Sequence, residues 1–384
     1  MKDSKRYSSI YILAGIIASA AALSMVIFPA VILDSAKQGI ALWAISVLPA
    51  LLPFFICADF MISLGIPGIV GNFFEKPFQK LFGTPGSSAF VFIVSITSGY
   101  PMGPKLIGQL RRKGELTDRE AIRMLSFCST SGPLFMLGTV GAGMLHSPGA
   151  GAVVALSHYA AAIVNGLLVR FLGGQEKGKR SSVRTRYMEP AVDKKTMLEM
   201  LTDSIISSLK TLGVIGCYII IFTYATDLLE MAGSLNWLKS SHDAGFVKGL
   251  LEMTIGIDEI AASDEIGLRL KCTMAAFLVS FGGLSIFAQS ISVMGGLKIN
   301  PFVYLKLKLS HGVFAAVIAY LSAPYILNRA VQSVGLFPNF AGAFQPGFLM
   351  QLLFSVRMLI IILILFLFTV VIELILSWRK ETSD

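Results

Sequence analysis

Apolar runs long enough to cross a lipid bilayer recur along the whole chain, and that recurrence excludes most architectures at once. A spanning helix needs about 20 mostly apolar residues. Segments 10–33, 39–66, 149–172, 204–231, 302–327 and 347–378 all reach that length. Charged residues make up 14% of the sequence and mean hydropathy is +0.73, whereas soluble domains are about one quarter charged. A water-soluble globule would have no way to cover so much apolar surface. Disorder is excluded for the same reason. The first run follows Lys2, Lys5 and Arg6 as in a signal peptide, but it exceeds the about 7–15 apolar residues of such a leader. It reads as a retained membrane helix that starts inside.

Two further stretches are apolar but interrupted. Segment 81–110 is broken around Thr97-Ser98-Gly99-Tyr100-Pro101-Met102-Gly103, where glycine and proline stop a helix. Neither half is long enough to cross, so it reads as a re-entrant hairpin. Segment 268–296 is broken around Phe281-Gly282-Gly283-Leu284-Ser285 and reads as a second hairpin. Segment 117–145 starts amphipathic, meets a break at Ser129-Thr130-Ser131-Gly132-Pro133, and is expected to cross; 248–262 reads as a short amphipathic piece. The expected fold is an all-α polytopic membrane protein of about seven transmembrane helices plus two re-entrant helical hairpins in an inverted repeat. Its parts are an N-terminal helix (1–38), a first repeat (39–173, hairpin 87–112), a basic loop (174–203), a second repeat (204–327, hairpin 268–296) and a C-terminal helix with tail (328–384).

The formal charge of +9 then reports orientation. Arg111, Arg112 and Lys113 share a side with the Lys/Arg-rich loop 173–195, since basic loops stay cytoplasmic. Crossings 117–145 and 149–172 between them make that consistent. Arg379 and Lys380 fall on the opposite side by this count, in conflict with the same rule. No basic stripe with interleaved aromatics suggests a nucleic-acid partner. The four cysteines, Cys57, Cys128, Cys217 and Cys272, lack metal-ligand spacing and read as small buried hydrophobes.

Broken helices persist in a membrane only where protein or a wet cavity satisfies their backbone, so the breaks are the candidate working parts. At the first, Ser98, Gly99, Tyr100 and Gly103 lead into a half-helix whose N-terminus suits an anion, and Lys105 adds a full charge. The competing reading has Gly99 and Pro101 merely turning the chain, with Lys105 reaching to water. Ser129, Thr130 and Ser131 offer hydroxyls either to a ligand or to the backbone freed by Pro133. Ser285 and Gln289 can orient a neutral part of a solute. Ser280 fits a bond within its own helix. Intramembrane carboxylates are functional candidates by default: Glu252 as a substrate or proton group or a surface carboxylate, and Asp59 as a coupling-ion ligand or a structural partner. Asp258, Glu259, Asp264 and Glu265 cluster too densely to be buried. His158 and Asn165, seven apart, fit helix-to-helix glue, and Arg357 stands out in its apolar span.

No Walker A loop, H-E-x-x-H, G-x-S-x-G or dinucleotide fingerprint occurs. The chain is therefore expected not to be an enzyme and to need no cofactor or metal. Transport would be passive or driven by an ion gradient.

Thr97-Ser98-Gly99-Tyr100-Pro101-Met102-Gly103-Pro104-Lys105, Cys128-Ser129-Thr130-Ser131-Gly132-Pro133 and Gly249-Leu250-Leu251-Glu252-Met253-Thr254 resemble the YlbJ-type (SpoVV) sporulation integral membrane proteins. These belong to the nucleoside-recognition, or Gate, group that also includes nucleoside and ferrous-iron transporters. The resemblance extends over about residues 40–325. It implies residence in a bacterial cell or forespore membrane, and movement of dipicolinic acid toward the forespore. Dipicolinate, a small aromatic dianion, is compatible with a half-helix N-terminus, Lys105, and stacking on Tyr100 or Phe287. The alternatives are a nucleoside or other metabolite carrier and a non-transporting sporulation scaffold. Beyond the solute and the lipid bilayer, association with another copy or with other sporulation membrane proteins is left open.

Overall fold

The computed structural model describes residues 2–172, 196–238, 240–295 and 299–332. The basic loop 173–195 and the expected last span 347–378, with Arg357, Arg379 and Lys380, lie outside the described residues.

The first expected span is bent sharply. Helix α1 (Lys2–Ile27) and helix α2 (Pro29–Ala41) meet at Phe28, and segments Ala18–Ile27 and Pro29–Ile45 are bent by 105°. Pro29 at the first position of α2 lacks the N–H that would continue α1. A π-helical turn, Leu42–Val47, leads into α3 (Leu48–Ser63). Gly65, with φ 76°, then turns the chain into α4 (Ile66–Leu81), at 81° to segment Leu51–Ser63. The expected 39–66 span therefore ends in a bend that carries a further apolar helix. That helix starts at a glycine in left-handed conformation with proline just after it, a pairing that favours a turn followed by a helix start.

After α4 the chain makes two runs of the same element order. In the first, α5 (Ser87–Ser98) and α6 (Met102–Arg112) are separated by Gly99-Tyr100-Pro101. There follow α7 (Asp118–Phe127), a π-helical segment Leu134–Met144, and the long α8 (Pro148–Leu172). Helix α7 opens on a capping box formed by Thr117 and Glu120. Helix α9 (Met197–Met231), opened by the equivalent Thr196/Glu199 box, connects the runs. In the second run, α10 (Ser241–Leu251) and α11 (Met253–Ala262) are separated at Glu252. Then come α12 (Leu268–Phe281), α13 (Gly283–Met294) and the long α14 (Pro301–Gln332).

Two expectations are corrected by this order. Leu268–Met294, expected as a hairpin, forms one membrane-length segment of 27 residues notched at Gly282. Helices α10 and α11, expected as one amphipathic piece, form a helical pair broken at Glu252. A Cβ on Gly256 would strike the backbone of Gly249 and Gly245, and one on Gly245 would meet Glu259 and Ile260, so the two helices run antiparallel in close contact. Segment 117–145 is also not one crossing helix, since its two halves part at 128–132.

Four helices among the described residues are long and apolar enough to cross a membrane, or six segments if each sharply bent pair counts once. Burial has the inverted pattern of a lipid-exposed chain. On α14, Tyr304, Lys308 and His311 are buried while Val313, Val317 and Leu321 are exposed. Cys128 and Cys272 are buried as expected, but Cys57 and Cys217 are exposed on apolar helix faces. Long helices α8 and α14 pack against each other at the centre, with α12 against both.

Candidate functional site

The two runs meet where their breaks meet. Gly99 ends α5 with φ 80°, a value that L side chains rarely adopt, and a Cβ there would lie 2.6 Å from the Gly132 nitrogen. A Cβ on Gly103 would strike the Cys128 carbonyl. The tip of the α5–α6 hairpin is thus seated on the break between α7 and its π-helical continuation. The second run repeats this relationship: a Cβ on Gly283, beside the notch in α12–α13, would lie 3.0 Å from the Leu251 carbonyl at the tip of α10–α11.

Backbone groups freed at 128–131 are closed by side chains. Ser95 Oγ donates to the Cys128 carbonyl at 2.5 Å and accepts from Thr130 N–H at 3.3 Å. Ser131 N–H donates to His158 Nε2 at 2.9 Å, and Tyr159 Oη donates to the Ser131 carbonyl at 3.0 Å. Lys308 Nζ donates to the Ser129 carbonyl at 3.1 Å. Satisfaction by side chains is what a broken helix needs where water is excluded. The hydroxyls join in, with Thr130 Oγ1 2.8 Å from Ser95 Oγ and Ser129 Oγ 2.7 Å from Tyr304 Oη. Ser98 instead donates back to Val94 within its own helix, at 2.6 Å.

Tyr100 ties this centre to the second run. Its hydroxyl accepts from Lys308 Nζ at 2.6 Å and donates to the Val279 and Ser280 carbonyls at 3.2 and 3.4 Å. Those carbonyls belong to the last turn of α12, which has no intrahelical donors left to offer them. His158 makes a second tie, because its Nδ1 is 2.8 Å from Ser280 Oγ. With Nε2 accepting from a backbone N–H, the proton sits on Nδ1 and the ring is neutral. Ser280 therefore bonds across helices rather than within its own. His311 donates from Nε2 to the His158 carbonyl at 2.9 Å, the two rings 4.7 Å apart.

The other expected residues occupy distinct places. Lys105 and Asp59 form a buried ion pair of 2.6 Å, and Gln109 donates to the second Asp59 oxygen at 3.1 Å. They join α6 to α3 and bond to each other rather than to the breaks. Glu252 is buried and caps α11, accepting from Thr254 and Ile255 N–H at 2.8 and 3.0 Å and from the Thr254 hydroxyl. Ser285 and Gln289 are buried and bonded to each other at 3.1 Å. Asn165 donates to the Ser126 and Leu307 carbonyls at 2.8 and 3.1 Å, which glues α7 and α14 to α8. Of the acidic cluster, Asp258, Asp264 and Glu265 are exposed and Glu259 is half-buried; Glu259 reaches Lys248. Outside the membrane segments, Asp118 accepts from Arg111 at 2.7 Å and holds that guanidinium above its usual pKa. Nearby, burial raises the Glu115 carboxyl.

Lys308 was not among the residues expected from sequence, nor were Tyr304 and His311. Their spacing of four and three residues places them on one helix face, and that spacing is the signal. Averaged hydropathy conceals it, because leucines intervene in Tyr304-Leu305-Lys306-Leu307-Lys308-Leu309.

Residues 44–148, which include the first hairpin and the following break, match the family model "Gate: Nucleoside recognition". The chain is 28% identical over 313 residues to "Sporulation integral membrane protein YlbJ" of Bacillus subtilis (strain 168), covering 75% of this chain and 76% of that protein. No solved structure matches. The chain is thus an integral membrane protein that is similar to YlbJ over three quarters of both chains and carries a Gate-like region at 44–148.

Proposed function

We propose that this protein is a sporulation membrane transporter, not an enzyme, and that it moves a small organic anion toward the forespore by alternating access. The observation that carries this reading is the repeated seating of a hairpin tip on a helix break, Gly99 and Gly103 on 128–132 and Leu251 on Gly283. Paired discontinuous helices near the middle of a membrane protein are a recurrent basis for solute sites. Here the backbone groups of the first break are closed by side chains of neighbouring helices. Separation of a tip from its break would expose the Ser129-Thr130-Ser131 backbone and hydroxyls on one side at a time. The matching element order of the two runs is compatible with an inverted repeat, with α5–α6 and α10–α11 as the re-entrant pair.

Dipicolinate is the cargo favoured by the sporulation relationship. It is small and planar, and the stacked rings of Phe287 and Tyr304, 5.4 Å apart, provide an aromatic wall beside Ser129. The family description favours a nucleoside as the second reading. Uptake of labelled dipicolinate and labelled uridine into liposomes holding purified protein decides between them. Saturable dipicolinate uptake, undiminished by excess uridine, is the expected result. Uridine uptake with none of dipicolinate would replace the anion by a nucleoside, and uptake of neither would remove the transporter reading.

A further inference from the structure

We propose that Lys308 is the anion-recognising residue of this site, and that it holds a single carboxylate of an aromatic acid. The inference deepens the transporter reading and rests on it for the direction of movement, but not for binding.

Three buried lysines among the described residues allow a comparison. Lys105 is paired with Asp59, and Lys248 with both Glu230 and Glu259. Lys308, 2% exposed, forms no ion pair with any carboxylate among the described residues. Its partners are the Tyr100 hydroxyl and the Ser129 carbonyl, with the Tyr100 ring 4.4 Å away. The carbonyl end of α12, reached through Tyr100, supplies only about half a negative charge. A buried ammonium left in that condition is costly, and the cost is removed by an arriving anion. The imidazole of His158 is neutral by its hydrogen bonds, so it does not compete for the role.

Position makes the same point independently. Lys308 touches the first break through Ser129, and through Tyr100 it reaches the second at Val279 and Ser280. A carboxylate that takes over its donors frees the Ser129 carbonyl and the Tyr100 hydroxyl together, which couples occupancy to a group at each break. One ammonium balances one carboxylate. A monoanion such as pyridine-2-carboxylate should therefore bind, while pyridine-2-carboxamide, of the same shape without the charge, should not.

The test measures ligand-induced thermal stabilisation of the purified full chain, for wild type, Lys308→Gln, Lys308→Arg and Tyr100→Phe, with dipicolinate, pyridine-2-carboxylate, pyridine-2-carboxamide and uridine. Both carboxylates should stabilise wild type and the carboxamide should not. Lys308→Gln should weaken apparent affinity by about 10- to 100-fold, the range for loss of a charge-assisted bond. Lys308→Arg should retain most of it. Equal affinity of Lys308→Gln and wild type would overturn the inference while leaving uptake, and so the transporter reading, intact. Stabilisation of wild type by none of the carboxylates, or equally by the carboxamide, overturns it even if Lys308→Gln fails to fold. Carboxylate binding that depends on Lys308, in a protein that moves nothing into liposomes, would instead sink only the transporter reading.

Discussion

Asp59 and Lys105 are each other's counter-ion: their side chains meet at 2.6 Å, both almost fully removed from solvent. A buried pair with one member removed leaves the other charge bare, at a cost of about 3–5 kcal/mol. Lys105→Met and Asp59→Asn are each expected to lower stability on that scale. Lys105→Met/Asp59→Asn together should recover much of the loss, with substrate affinity near wild type. Thermal unfolding in detergent, combined with a binding assay, checks both. A double variant that folds but no longer binds would return Lys105 to the cargo site.

Close backbone approach at the hairpin tip predicts a sharp difference between two glycines. A methyl group on Gly103 would overlap the Cys128 carbonyl, whereas one on Gly138 meets only the Leu134 side chain, at 3.6 Å. Gly103→Ala is expected to destabilise by about 1–3 kcal/mol, and Gly138→Ala to stay within about 0.5 kcal/mol of wild type. Denaturation midpoints of the two variants side by side provide the comparison.

His158 holds the Ser131 N–H and the Ser280 hydroxyl at the same time. Replacement by alanine leaves both groups unpaired in a site closed to water, about 1–3 kcal/mol for each. The expected phenotype is a less stable protein with faster amide exchange around 128–132, readable by hydrogen–deuterium exchange. Unchanged protection there would show that the break does not depend on the imidazole.

Capping of α7 is separate from the site. Thr117→Ala removes the side-chain acceptor of the Glu120 N–H and should cost about 0.5–2 kcal/mol. Affinity for the carboxylate ligands should not change. A Kd that shifts with this variant would mean that stability, not recognition, governs the binding readout.

How far these features were legible in sequence follows from what makes each break. At Gly99-Tyr100-Pro101 and Ser129–Pro133 the residues themselves forbid a regular helix, so the interruptions are written locally. The α10–α11 break is different, since Gly249-Leu250-Leu251-Glu252-Met253-Thr254 contains no proline. Its chain reverses because Glu252 caps the next helix and because Gly245, Gly249 and Gly256 let two helices touch. That depends on which surfaces meet, so 248–262 was expected only as one amphipathic piece. Asp59 and Lys105 illustrate the same limit. Each was singled out in the sequence, but 46 positions separate them, and nothing local says that they neutralise one another. Lys308 was harder still, because having no carboxylate beside it among the described residues is a property of the packed interior.

Tyr100 has a consequence for ion leak. Its hydroxyl is bonded to the lysine that closes one break and to the carbonyls that end the helix at the other. A carrier with two independent barriers conducts whenever both happen to open. A single phenol shared between them makes the barriers statistically dependent, since neither network can rearrange without disturbing the other. Under the transporter reading proposed above, that dependence keeps the two barriers from opening at the same moment.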